Sequence, residues 1–227
     1  MILITGASRG IGKYLLEKFI DKGEWVSGTY LSTEPEKKLQ SFYHDVEIYT
    51  ESSIQKWIDS VCHVDPKIIL LNCAGMNFNA MAHKADIENW EETIITNLIG
   101  TFKVIYSVLP LMRKNNYGRI INFGSVVAKM GVPGTSAYAA SKSGLWGMTR
   151  AIAVENANKG ITINTINLGY FDIGMIDEVP ESYREKIKAN IPCGRFGNPE
   201  QILNTVNYII ENDYLNGSEI DLNGGLV

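Results

Sequence analysis

Tyr138 and Lys142 stand four residues apart in the stretch 135–155, TSAYAASKSGLWGMTRAIAVE, with Ala139, Ala140 and Ser141 between them. Residues at that spacing share a helix face, so a phenol lies beside an ammonium. An unperturbed tyrosine, with a pKa of about 10, is a poor acid–base at neutral pH, and a nearby cation favours its phenolate. Tuned in that way, Tyr138 could pass a proton to or from a substrate oxygen. Ser125, at the end of the run GRIINFGS, could hold that oxygen by a hydrogen bond. Tyr and Lys at this spacing also occur on ordinary helix surfaces, so the surroundings must decide. Here the flanking Ala and Ser residues let the helix pack closely and leave the phenol accessible.

A second constellation, TGASRGIG, follows the apolar run MILIT and opens a helical pattern. Gly6, Gly10 and Gly12 permit tight turning and close backbone approach, and a helix N-terminus offers N–H groups and a positive dipole to a pyrophosphate. The spacing GxxxGxG differs from the GxGxxG dinucleotide fingerprint, and a plain strand-to-helix turn is the alternative. An NAD site usually places an acidic side chain at the end of the second strand. That place reads Thr29-Tyr30-Leu31-Ser32, with no carboxylate before Glu34, while Arg9 could pair with a 2′-phosphate. The residues favour NADP(H) over NAD(H).

The elements that must position these groups alternate. Strand-like runs are MILIT, EWVSGTY, VEIYT, KIILLNCAG, GRIINFGS, GITINTINLG and SEIDLNGG. Helical patterns are KYLLEKFIDKG, PEKKLQSFY, SIQKWIDSV, a long amphipathic stretch 86–113, the stretch holding Tyr138, and NPEQILNTVNYII, with Asn198 as N-cap and Pro199 at its first position. Alternation of this kind predicts an α/β, Rossmann-like, doubly wound fold: a seven-stranded parallel sheet with helices on both faces. No linker, charge block or repeat divides residues 1–227, so one domain is expected, 1–85 mainly a cofactor half and 86–227 a catalytic and substrate half.

Composition bounds the partners. The 227 residues carry a net charge of −4 and a pI near 5.5, which argues against nucleic acid or an anionic membrane. No apolar run is expected to reach the roughly 20 residues that span a bilayer, and the Gly-rich segment starting at Gly6 leaves no room for a signal peptide. Cys62, Cys73 and Cys193 form no CxxC pair, which fits a reduced cytoplasmic protein without a metal framework. His44, His63 and His83 have no partner at metal-ligand spacing, so no metal site is expected.

Taken together, these residues resemble the short-chain dehydrogenase/reductases over nearly the whole chain: TGASRGIG, NCAG at 72–75, Asn97 in TNLIGTF, GRIINFGS, YAASK and NGG at 223–225. Within that family the chain looks most like the 3-oxoacyl-acyl-carrier-protein reductases, through GRIINFGSVVAKMG, YAASKSGLWG and IPCGRFGNPEQI. The resemblance implies NADPH-dependent hydride transfer to a carbonyl, that of a 3-oxoacyl thioester, in fatty-acid biosynthesis. The same chemistry on another ketone, sugar or secondary alcohol is the alternative, and a non-catalytic scaffold is a third. It implies a tetrad of Asn97, Ser125, Tyr138 and Lys142. Tyr138 is then the acid–base and Ser125 the carbonyl orienter; Lys142 binds ribose and lowers the Tyr pKa, and Asn97 kinks the long helix and holds a water. It also implies cofactor contacts from Gly6, Ser8, Arg9, Gly10, Ile11, Gly12, Tyr30, Leu31, Ser32, Asn72, Ala74, Gly75, Tyr138, Lys142, Gly169 and Ile173.

The chain departs from the family pattern at Cys73, at Leu168, and at Ile173, where a Thr hydroxyl usually meets the nicotinamide. The third strand, read as VEIYT, offers no Asp for the adenine, only Glu51 at a shifted place. Residues 174–195 are expected to form a lid that excludes water. Pocket walls are expected from Met76, Val127, Met130, Val132, Tyr170 and Phe171, and Arg113, Lys114 and Lys159 could meet an acidic carrier protein. Family members are commonly tetramers, so the resemblance implies a homotetramer or homodimer through the helices at 86–113 and 136–159 and the C-terminal strand.

Overall fold

The computed structural model describes residues 1–62 and 67–227. Seven parallel strands form one sheet: β1 (Ile2–Thr5), β2 (Val26–Tyr30), β3 (Tyr43–Asp45), β4 (Ile69–Asn72), β5 (Gly118–Ser125), β6 (Ile161–Leu168) and β7 (Glu219–Leu222), in the order β3-β2-β1-β4-β5-β6-β7. The main helices are α1 (Gly10–Asp21), α2 (Glu51–Val61), α3 (Ile87–Ile94), α4 (Thr101–Asn115), α5 (Val127–Met130), α6 (Ser136–Asn156), α7 (Glu181–Asn190) and α8 (Pro199–Glu211). The expected doubly wound, seven-stranded parallel sheet is present.

Strands whose two faces are both covered read as continuous apolar runs, and alternate residues feed separate cores. Leu3, Leu70, Ile120 and Ile163 pack with Trp57, Val104 and Val108 on one side. Ile2, Ile4, Leu71, Ile121 and Ile166 pack with Leu15, Leu16, Ile202 and Val206 on the other. Fully burying each such side chain contributes about 1.5–3 kcal/mol.

Two expectations need correction here. The third strand is Tyr43–Asp45, not VEIYT, and a short 3₁₀ helix (Lys37–Phe42) precedes it. Val46 and Ile48 of VEIYT are buried beyond the paired register, Val46 adding one hydrogen bond to the Tyr30 carbonyl, so an apolar run that looked like a strand is a core-facing connection. The long amphipathic stretch is α3, a π-helical turn (Ile95–Gly100) and α4 in unbroken succession. Among the described residues this Ile87–Asn115 run is long and apolar enough by composition to cross a membrane, contrary to the expectation. Two apolar faces explain it. Val104, Ile105, Val108 and Met112 are buried, whereas Ile95, Ile99, Phe102 and Tyr106 line an exposed stripe.

Candidate active site

Strand order reverses between β1 and β4, and open α/β sheets place ligands outside the carboxyl ends of the strands at such a point. The glycine turn fills that crevice. Gly6 sits at φ +61°, and a Cβ there would come within 2.6 Å of the Ala74 Cα. A Cβ on Gly12 would meet the Gly6 carbonyl oxygen at 2.3 Å. Thr29 anchors the turn, its hydroxyl accepting from the Gly6 N–H and its carbonyl from the Ala7 N–H. Helix α1 begins at Arg9 with no side-chain cap and no acid in its first turn, whereas α3 and α8 are capped by Asp86 and Asn198. Uncapped N–H groups at the positive end of a helix suit a phosphate. These residues therefore fit the pyrophosphate of a dinucleotide. Gly12→Ala should overpack this turn and cost about 1–3 kcal/mol, lowering the melting temperature by about 2–4 °C per kcal/mol; an unchanged thermal melt would refute the packing argument.

Ser125, the last residue of β5, is in register with Leu168 of β6. Its hydroxyl accepts from the Val127 N–H at 3.2 Å and lies near enough to the Tyr138 phenol to pull its pKa down. One turn along α6 the Lys142 ammonium lies 5.6 Å from the Tyr138 ring centroid and donates to the Phe123 carbonyl at 2.7 Å. Asn97 lies in the π-helical turn, fully buried, with its carboxamide accepting from the Met76 N–H at 2.8 Å and donating to the Met76 carbonyl at 2.9 Å. It also donates to Ser141 Oγ at 3.1 Å, and Ser141 donates to the Tyr138 carbonyl at 2.8 Å. A π-turn re-aims one residue without ending the helix. Gly75 completes the cluster: a Cβ there would be 3.3 Å from Asn97 Oδ1 and 3.6 Å from Lys142 Nζ. Asn97, Ser125, Tyr138 and Lys142 thus gather at one edge of the sheet.

Burial dominates the electrostatics. It raises the Tyr138 pKa, with the Ser125 hydroxyl pulling against it and Tyr170 adding to it. Burial also lowers Lys142 to about 8. In the cofactor-free chain the side chain that pulls the phenol pKa down is Ser125.

The other expected residues lie along the same carboxyl edge. Ser8 and Ile11 are half-buried in the glycine turn and its helix, and Arg9 is exposed beside them. Tyr30 ends β2, edge-to-face with Tyr43 at 6.4 Å, and Leu31 and Ser32 follow it exposed. Gly10 approaches Gly174, Asn72 ends β4, and Gly169 donates its N–H to Leu222. Ile173 packs partly buried against the core behind the sheet. Phe171, expected as a pocket wall, is 6% exposed and bridges to Gly197 instead.

Asp45 went unnoticed because the third strand was sought in VEIYT. It ends β3, exposed and in register with Tyr30, so the third strand does end in an acidic side chain, whereas Glu51 opens α2. The buried Asn122 and Thr149 also went unread. Asn72 donates to Asn122 at 2.8 Å, Asn122 to Thr149 at 3.0 Å, and Thr149 meets Thr165 at 2.9 Å. This polar ladder ties α6 to three strands and fixes the rotation that aims Tyr138. A polar residue recurring inside apolar strands was its visible signal.

Arg113, Lys114 and Lys159 lie at the wrong end for a carrier protein docking at the site. They end the helical segments leading into β5 and β6, so they sit at the amino edge of a parallel sheet, opposite Ser125. Arg113 there donates to Asn156 Oδ1 at 2.7 Å. Among the described residues no three His, Cys, Asp or Glu side chains converge as a metal site, and His63 lies outside the described residues.

Comparison with known proteins agrees with this geometry. The short chain dehydrogenase family model matches residues 1–184. An acetoacetyl-CoA reductase of Rhizobium meliloti is 37% identical over 232 residues, covering 98% of this chain and 96% of that protein. A 3-oxoacyl-acyl-carrier-protein reductase of Aquifex aeolicus is 35% identical over 237 residues, covering 99% and 96%. The crystal structure of a putative gluconate dehydrogenase from Agrobacterium tumefaciens superposes with a TM-score of 0.89 at 26% identity, covering 100% of this chain and 95% of that one. The chain belongs to the short-chain dehydrogenase family.

Proposed function

We propose that the protein is an NADPH-dependent reductase of a 3-oxoacyl thioester. The observation that carries the reaction type is the buried Lys142 ammonium 5.6 Å from the Tyr138 ring, with Ser125 at the end of β5 close enough to act on the same phenol. A bound nicotinamide cofactor supplies the hydride. The chain's own residues handle the oxygen and its proton. The Ser125 and Tyr138 hydroxyls converge where a carbonyl oxygen can accept from both, and Tyr138 gives its proton to the oxygen as negative charge builds there. A phenol whose pKa is held up by burial is protonated at neutral pH, the state a reduction needs. Lys142 stands next in line to replace that proton, and Asn97, fixed through Met76 and Ser141, closes the inner end of the cluster.

The thioester rests on likeness to the acetoacetyl-CoA and 3-oxoacyl-acyl-carrier-protein reductases. A second reading, reduction of another ketone or oxidation of a sugar or secondary alcohol, is favoured by the departures at Leu168 and Ile173 and by the fold match to a putative gluconate dehydrogenase. Following NADPH oxidation with acetoacetyl thioesters beside a panel of free ketones and ketosugars separates the two. Turnover of thioesters supports the first; turnover of none of them sinks it.

For the cofactor, β2 ends without a carboxylate and Arg9 stands exposed at the start of α1. Arg9→Glu should lower kcat/KM with NADPH by about ten- to a hundredfold, the range of a lost charge-assisted hydrogen bond. With NADH the change should be small, and an equal loss with both cofactors would count against a 2′-phosphate contact. The exposed stripe of Ile95, Ile99, Phe102 and Tyr106 supports self-association through the long helices as part of this reading.

A further inference from the structure

Helix α7 lies in the segment expected to act as a lid, yet it contains no buried residue. Its half-buried positions are Arg184, Ile187 and Lys188, and apolar anchoring comes from outside it, through Ile176 before and Ile191 after. Arg184 ties α7 to other elements by an ion pair and an aromatic contact. Its Nη2 lies 2.8 Å from Asp172 Oδ1, its Nη1 lies 3.6 Å from Glu181, and its guanidinium carbon stands 5.9 Å from the Phe196 ring centroid. The side chain is 22% exposed, and its Nε is buried without a hydrogen-bond partner.

Asp172 occupies a consequential place. It follows Phe171, whose backbone bridges to Gly197: the Asp172 N–H donates to the Gly197 carbonyl at 3.0 Å and the Gly197 N–H to the Tyr170 carbonyl at 2.9 Å. Two residues after Asp172, the Gly174 Cα lies 3.2 Å from where a Cβ on Gly10 would sit, so the strap abuts the glycine turn. The span 170–174 therefore runs from the Tyr138 side of the cleft to the pyrophosphate cradle. One end of that span is held by the Gly197 backbone pair, and its middle by Arg184.

We propose that Arg184 is a positioning residue: by pairing with Asp172 and lying against Phe196, it latches α7 and the 170–174 strap over the cofactor cleft and prolongs residence of the bound dinucleotide. The inference rests on the nicotinamide-cofactor reading. An isolated exposed ion pair contributes little to stability, and Asp172 is 64% exposed. What distinguishes this one is its sharing among two carboxylates and an aromatic face, and the absence of a buried apolar residue in α7 that could substitute for it. A latch that stabilises the closed state raises apparent affinity by the closed-state population it adds.

The test measures NADPH dissociation constants by nicotinamide fluorescence for the wild type, R184M, R184K, D172N and R184M/D172N. In parallel, hydrogen exchange is followed on the cofactor-free proteins. R184M and D172N should each weaken binding about three- to tenfold, R184K should recover part of the loss, and the double variant should be no worse than R184M. Amides of 171–190 should exchange faster in R184M while those of β4 and β5 keep their protection, which also shows that the variant is folded. Wild-type affinity in R184M, additive losses in the double variant, or unchanged exchange over 171–190 would overturn the latch. A wild type that binds no nicotinamide cofactor would sink the functional reading instead, and the exchange comparison would still decide whether Arg184 holds the segment.

Discussion

Tyr138→Phe should retain the fold and the cofactor affinity while losing about 10²–10⁴-fold in kcat, the usual contribution of a positioned acid–base. The substitution removes one oxygen and no packing volume of consequence. The ring keeps its place on α6, because that helix is fixed by the ladder from Asn72 through Asn122 to Thr149 and Thr165. Lys142 keeps its hydrogen bond to the Phe123 carbonyl. Ser125 keeps the Val127 N–H. What disappears is the proton that a reduced carbonyl oxygen must receive. The loss should therefore fall on kcat, with KM for the cofactor nearly unchanged, as for an interaction made in the transition state. Stopped-flow hydride transfer measured beside fluorescence binding checks both halves. Full activity on every carbonyl substrate would remove Tyr138 from the mechanism, and lost cofactor binding would assign it a structural role.

Ser125, Tyr138 and Lys142 were legible before any coordinates because their chemistry is carried by residue type at fixed spacing, and a helix converts four-residue spacing into adjacency. The sheet was legible for a similar reason: strands covered on both faces are apolar throughout. Asn97 was not legible from the residues alone. Its position depends on a π-turn, a backbone event that leaves no mark on hydrophobic periodicity. The third strand failed because VEIYT is apolar to fill the core, with Val46 and Ile48 buried, while the residues in register with β2 are Tyr43–Asp45 and Val46 adds one further hydrogen bond, to the Tyr30 carbonyl. That displacement hid Asp45. The basic residues Arg113, Lys114 and Lys159 were misjudged because charge is read along a sequence, whereas the edge of the sheet on which it lies follows from topology.

Lys142→Met should move stability and activity in opposite directions. Burial holds the ammonium at a pKa of about 8 against an ordinary 10.5. Each unit of pKa displacement is worth about 1.4 kcal/mol, so at neutral pH the folded chain carries a cost of roughly 3 kcal/mol for keeping that charge inside. The neighbours do little to relieve it. Tyr138 stays a neutral phenol, and the buried Cys73 thiol is pushed far above its ordinary pKa. Methionine fills similar volume without charge, at the expense of the hydrogen bond to the Phe123 carbonyl, about 1 kcal/mol. The cofactor-free variant should accordingly gain roughly 2 kcal/mol at pH 7, or about 4–8 °C in melting temperature. Turnover should fall at least about a hundredfold, because the proton donor behind Tyr138 is gone. The pH dependence gives the sign an independent check. Below pH 8 the lysine is protonated in both states and the full cost is present. Between about 8 and 10.5 the unfolded chain holds the proton and the folded chain does not, so wild-type stability rises with pH and the advantage of the variant closes. Thermal melts of both proteins from pH 7 to pH 10 decide it. A destabilised variant, or a gap that does not narrow with rising pH, would mean that the ammonium is better compensated than its burial indicates. The expected result instead marks α6 as a helix that gives up stability to hold a charge at its reactive edge, as functional sites commonly do.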